Sequence, residues 1–201
     1  MIEFLAVALI TILAVISPGA DFAIITKNSY LYGRTTGILT AIGIACGVLV
    51  HVAYTLVALA IVMAYIPNFL GIVKYVGAAY LMYIGYATFV QSPIIDTHAT
   101  AVISKRRAFV YGLLTNALNP KTTLFVISTY TQIVSTTTPT YILVGYGVFM
   151  SLAHLLWFVL MAFFFSHQHL RSKMLNQQVM INKVIGSILV MLGGLLIVAN
   201  I

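Results

Sequence analysis

Long apolar runs divide this chain, and polar residues fall almost entirely between them. Six runs can be read, over roughly 2–26, 38–65, 69–90, 108–131, 141–165 and 181–200. Each is near the ~20 residues that a helix needs to cross a bilayer. The runs are continuous rather than alternating, so the spans are expected to be helices and not the strands of a barrel. Two runs are interrupted from within. Ser17-Pro18-Gly19-Ala20-Asp21 breaks the first, and Asn119-Pro120-Lys121 breaks the fourth. Proline removes a backbone donor and clashes with the preceding turn, and glycine relaxes the backbone at the same point. A charge within the hydrocarbon costs at least about 2.5–3.5 kcal/mol at the centre of a span. A membrane anchor needs none of these features. The two breaks stand about half the chain apart, and paired interrupted helices in two halves mark a transport site at a repeat interface.

Composition sharpens this. The chain has 201 residues, 62% hydrophobic and only 6% charged. That is too little polar surface for a water-soluble domain, so residues 1–201 are expected to form one transmembrane domain. The net charge of +7 comes from basic residues that sit between apolar runs. There they set topology and do not suggest nucleic acid. The first connection carries Lys27 and Arg34, the third Lys105, Arg106 and Arg107, and the fifth Arg171, Lys173 and Lys183. The second carries only Lys74 and the fourth carries none. Positive connections face the cytoplasm, which places both termini outside. Cys46 is the single cysteine and supports no disulfide. The N-terminus has no basic n-region, so no cleaved signal peptide is expected.

Three spans per half is an odd number, so the halves, 1–100 and 101–201, must be inverted relative to each other. Leu49-Val50-His51-Val52-Ala53-Tyr54 matches Leu152-Ala153-His154-Leu155-Leu156-Trp157, and Lys74, Gly77 and Gly85 match Lys183, Gly186 and Gly194 at one common offset. An all-α fold of six transmembrane helices, built as an inverted three-plus-three repeat, is therefore expected.

Several motifs carry a family resemblance. Ser-Pro-Gly-Ala-Asp-Phe (17–22), Asn28-Ser29, Tyr32-Gly33-Arg34 and Gly43-Ile44-Ala45-Cys46-Gly47 leading to His51 resemble the start of the lysine-exporter (LysE/RhtB) family of bacterial amino-acid efflux proteins. Gly77-Ala78-Ala79-Tyr80-Leu81 with Gly85, and Gly112-Leu113-Leu114-Thr115-Asn116 with Asn119-Pro120-Lys121, extend the likeness over most of the chain. One departure is Ala20, where the family usually has a second proline. The resemblance implies a protein of the bacterial inner membrane that exports small amino acids by secondary transport or antiport, driven by the proton or another ion gradient. No enzyme activity and no cofactor are expected.

The residues at the breaks suggest a chemistry. Asp21 reads as a site for a substrate ammonium or a proton, or more simply as a helix N-cap. Lys121 reads as its partner or as a binder of a substrate carboxylate, against the simpler reading of a snorkelling lysine. With no substrate, Asp21 and Lys121 are expected to neutralise each other, and a zwitterionic amino acid to replace that pair. Ser17, Pro18, Gly19 and Pro120 shape the breaks. Ser17, Asn28, Thr115, Asn116 and Asn119 are expected to satisfy the freed backbone groups. His51 and His154 read equally well as a proton relay and as packing residues. No metal site is expected from them, since few carboxylates and no neighbouring thiolate could complete a shell. Gly43-x3-Gly47 is expected to bring helices together within one bundle, although six spans are few to enclose a pathway and a homodimer is open. A neutral amino acid such as homoserine or threonine ranks ahead of lysine or arginine as substrate. An exporter of another solute, such as a metal cation, and an accessory subunit remain the alternatives.

Overall fold

The computed structural model describes residues 2–17, 19–65, 103–133 and 138–167, with scattered residues between 75 and 92 and between 176 and 197. All regular structure among the described residues is helical. In chain order the helices are α1 (Ile2–Ile16), α2 (Ala20–Tyr32), α3 (Arg34–Tyr65), α4 (Lys105–Ala117), α5 (Pro120–Ile133) and α6 (Thr140–Phe165). Within α3, Arg34–Ile61 is long and apolar enough to cross a membrane, and so is all of α6. The pair α1 and α2 meets the same test when taken together, and bends by 54° at its break.

The chain thus runs twice through the same order: a short helix, a break, a second short helix, then a long helix. The expected fourth run is two helices, because Asn119 and Pro120 start a new one. The expected first connection is replaced by helix. α2 continues through Lys27 to Tyr32, and Gly33 alone separates it from α3. Gly33 has φ 82° and ψ 171°, a conformation open in practice only to glycine. Hydropathy ends where apolar residues end, but backbone hydrogen bonding carries a helix past that point. Lys105, Arg106 and Arg107 likewise form the first turn of α4, capped by Ser104, whose Oγ accepts from the Arg107 N–H at 3.3 Å. About half of the expected third and sixth runs, Lys74 and Gly77 among it, lies outside the described residues, as do Arg171 and Lys173 of the expected fifth connection. Where they are described, the two segments touch: a Cβ on Gly85 would lie 2.7 Å from the Gly186 carbonyl oxygen.

Side chains sort by environment in the way a bilayer demands. Leu5, Leu9 and Ile12 form an exposed apolar stripe on α1, while Val7, Ile10 and Ala14 are buried. Helical spacing puts the two sets on opposite faces, and only lipid makes the outer one favourable. Inside, one apolar cluster gathers Val7, Val48, Phe125 and Met150, and a second gathers Val15, Ile44, Phe158 and Met161. On α6, His154 falls between Met150 of one cluster and Phe158 of the other.

The closest crossing is α3 on α4. A Cβ on Gly43 would lie 2.1 Å from the Phe109 carbonyl oxygen, and one on Gly112 would lie 2.1 Å from the Thr40 carbonyl oxygen. Backbone here packs against backbone, so Gly43 serves the bundle itself. Gly112→Ala is expected to cost roughly 1–3 kcal/mol through overpacking. Gly145→Ala, where a Cβ meets nothing within 4 Å, is expected to leave stability unchanged. Thermal unfolding of the two detergent-purified variants separates these outcomes.

Candidate functional site

The two breaks converge. Asp21 stands in the first turn of α2, only 8% exposed. Its Oδ2 accepts from Asn116 Nδ2 at 2.9 Å and from Asn119 Nδ2 at 3.1 Å, both from the second break. Its Oδ1 is buried and has no hydrogen-bond partner among the described residues. The N-cap of α2 is Gly19, so Asp21 is not the cap. It nonetheless gains from the positive N-terminal end of the helix dipole.

Asn119 links two tasks. Its Oδ1 accepts the Lys121 backbone N–H at 3.0 Å and so caps α5, while its Nδ2 holds Asp21. Asn116 is as heavily used. Its Nδ2 reaches Thr122 Oγ1 at 3.2 Å besides Asp21, and its carbonyl accepts from Asn119 N–H at 2.8 Å. That same carbonyl accepts from His51 Nε2–H at 2.7 Å. Because a carbonyl can only accept, the Nε2 proton is fixed, and Nδ1 of the neutral ring takes the Tyr54 hydroxyl.

Lys121 crosses in the opposite direction. Its Nζ donates to the Ser17 carbonyl and to Ser17 Oγ, each at 2.7 Å. The Ser17 carbonyl lies just past the end of α1, among those left without helical partners, where the dipole favours a cation. The expected direct pair of Asp21 with Lys121 is therefore not formed. Amides hold the carboxylate, a helix end holds the ammonium, and both side chains line one cavity. Asn28 also departs from expectation. Its Nδ2 donates to Thr40 Oγ1 at 2.9 Å, which ties α2 to α3 away from either break.

The cavity is lined on its polar side by Ser17, Gly19, Asp21, Asn119, Lys121, Thr122 and His154, and on its apolar side by Ala14, Val15, Phe22, Phe125 and Phe158. It encloses about 20 Å³, room for about one water molecule. A solute larger than water enters only if the helices around the breaks move apart. Of the residues expected at the site, Ser17, Gly19, Asp21, Asn119, Lys121 and His154 line the cavity. Asn116 and His51 stand behind it, and Pro18 lies outside the described residues. Sequence reasoning missed Thr122, Thr123, whose Oγ1 lies 3.4 Å from His51 Nδ1, and the three phenylalanines. The threonines follow the break directly, which places them in the first turn of α5 beside it. The phenylalanines carry no local signal in an apolar run. Among the described residues no three His, Cys, Asp or Glu side chains gather as a metal site.

Interrupted helices meeting around buried opposite charges, inside a lipid-facing bundle, define a membrane translocator. The chain belongs to the LysE type translocator family, whose model matches residues 12–200. It is a protein of the bacterial inner membrane. It is 28% identical to the uncharacterized membrane protein YrhP of Bacillus subtilis (strain 168), over 96% of this chain and 97% of that one. It is 27% identical to the threonine efflux protein of Escherichia coli (strain K12), over 84% of each chain. It is 34% identical to the leucine efflux protein of Salmonella choleraesuis (strain SC-B67), over 64% of this chain and 61% of that one. No solved structure matches it.

The double use of Asn119 yields a test. Asn119→Ala removes a helix cap, worth about 0.5–2 kcal/mol, and a donor to a buried carboxylate, worth about 1.5–3 kcal/mol. Asn119→Asp keeps the cap but brings a second carboxylate to Asp21. Both variants are expected to melt below wild type at neutral pH. Acidification is expected to restore part of the Asp variant's loss and none of the Ala variant's.

Proposed function

We propose that this chain is a secondary exporter of small neutral amino acids, coupled to the proton gradient by antiport. The observation that carries the reading is Asp21 Oδ1, a buried carboxylate oxygen with no hydrogen-bond partner among the described residues, in the same cavity as the Lys121 ammonium. An α-ammonium placed on Asp21 and an α-carboxylate placed on Lys121 satisfy both charges at once. The capped N-terminus of α5 adds backbone dipoles on the carboxylate side. The threonine and leucine efflux relatives agree with this cargo. A single carboxylate at the cavity favours a neutral side chain over a cationic one.

The same reading places six spans as an inverted repeat with both termini outside. Its support is the twice-repeated order of break and long helix, with His51 on α3 and His154 on α6, and the contact of Gly85 with Gly186. Proton coupling fits His51, which keeps hydrogen bonds in either charge state. Nε2–H holds the Asn116 carbonyl in both, and Nδ1 accepts from Tyr54 when neutral and donates to its oxygen when charged. Asn116 in turn holds Asp21, so the two titratable groups share one residue. We assign no catalysis. Ser151, the hydroxyl nearest His154 along α6, donates to the Ala45 carbonyl at 2.9 Å and is not poised as a nucleophile.

Counterflow in proteoliposomes tests the reading. Vesicles loaded with unlabelled neutral amino acids are expected to take up label with wild-type protein. Asp21→Asn and Lys121→Ala each remove one charge-assisted contact, worth about 1.5–3 kcal/mol, and are expected to slow uptake by about tenfold or more. A Lys121→Ala protein that transports at the wild-type rate sinks the assignment.

A further inference from the structure

His154 stands against the cavity without a part in the charge pairs just described. It is only 4% exposed, and its ring is tilted against Phe125 and Phe158, with centroids 6.1 and 6.2 Å away. Its Nδ1 is 2.7 Å from the Met150 carbonyl oxygen. That carbonyl can only accept, so Nδ1 carries the proton and Nε2 of the neutral ring presents a lone pair. No hydrogen bond reaches Nε2 among the described residues. Met150 lies four residues earlier on the same helix, so this arrangement travels with α6 when the cavity opens. The histidine therefore offers an acceptor of fixed orientation, set among apolar walls.

We propose that His154 reads the side chain of the cargo: Nε2 accepts a hydrogen bond from a side-chain hydroxyl, while Phe125 and Phe158 pack its carbon atoms. The inference rests on the amino-acid exporter reading and narrows it to small hydroxyl-bearing amino acids of the threonine type. With the α-ammonium on Asp21 and the α-carboxylate on Lys121, the lining left for the side chain includes His154, Phe125, Phe158 and Val15, along with Ala14, Phe22 and Thr122. Threonine meets it with one hydroxyl and one methyl. Valine has the same shape but no donor, and leaves Nε2 buried and unpaired. A site built around a hydrogen-bonding group discriminates strongly against the analogue that lacks it. A cationic side chain would lie in the same cavity as the Lys121 ammonium and is disfavoured by like charge.

The threonine and valine pair isolates the hydrogen bond. In counterflow with wild-type protein, labelled threonine is expected to exceed labelled valine by about tenfold or more. His154→Leu is expected to bring that ratio to within about twofold by lowering threonine uptake more than valine uptake. His154→Gln, which retains an acceptor oxygen, is expected to keep the preference. Equal uptake of the two by wild type, or an unchanged ratio in His154→Leu, overturns the proposal. Should His154→Leu not fold, wild type alone decides. Threonine is then expected to raise its melting temperature in detergent more than valine at equal concentration, and equal or reversed shifts overturn the proposal. A wild type that moves no amino acid at all is a different result: it overturns the exporter reading itself and this inference with it.

Discussion

Everything at the centre of this bundle depends on one constraint: a helix broken inside hydrocarbon must have its freed polar groups satisfied by protein. Water is absent there, and each unsatisfied backbone group costs several kcal/mol. The chain solves the problem reciprocally. The carbonyl just beyond α1 is capped by the Lys121 ammonium, which comes from the second break. The carboxylate after the first break is held by two amides, both also from the second break. Neither break is stable alone, and each completes the other. The contacts span about half the chain in sequence and tie its two halves together.

On the proposed reading, the same contacts make a stable site also an exchangeable one. Asp21 keeps one buried oxygen without a hydrogen-bond partner among the described residues. Lys121 holds a helix end through its flexible four-carbon arm, which can swing without moving the backbone. A direct Asp21–Lys121 ion pair would be harder to displace, because both charges would be spent on each other. Separate holders leave each charge fixed in place and open to a second ligand. The cavity of about 20 Å³ leaves room beside them for about one water molecule.

The breaks were legible in the sequence because Pro18, Gly19, Asp21, Pro120 and Lys121 violate the rules of an apolar span at two related places. Family motifs made Asn116 and Asn119 stand out, and the structure finds both on Asp21. What could not be read is which polar group meets which. Opposite charges suggest pairing, but pairing depends on where the helix ends point. Here those ends offered Lys121 a carbonyl and offered Asp21 two amides. Asn28 misled for a related reason. It lies seven residues beyond Asp21, on the same helix face but two turns, roughly 10 Å, farther along, where it meets Thr40 and not the break. Helix limits were misread at Lys27 and Arg34 because hydropathy reports the membrane and not the backbone.

The distribution of rigidity follows from residue size. Where Gly43 and Gly112 place backbone against backbone, α3 and α4 have no side chains to rearrange and cannot slide without clash. His51 extends that frame by gripping the Asn116 carbonyl at the end of α4. On the other side of the cavity, α1, α5 and α6 meet through larger side chains such as Phe125, Tyr130 and Met150, which can change rotamer. The breaks add two points where backbone hydrogen bonds are already missing and bending costs least. A frame fixed at α3–α4, with breaks that bend beside it, places the lowest-cost movement at the residues that hold the charges. On the exporter reading proposed above, opening the cavity and releasing Asp21 and Lys121 are one motion.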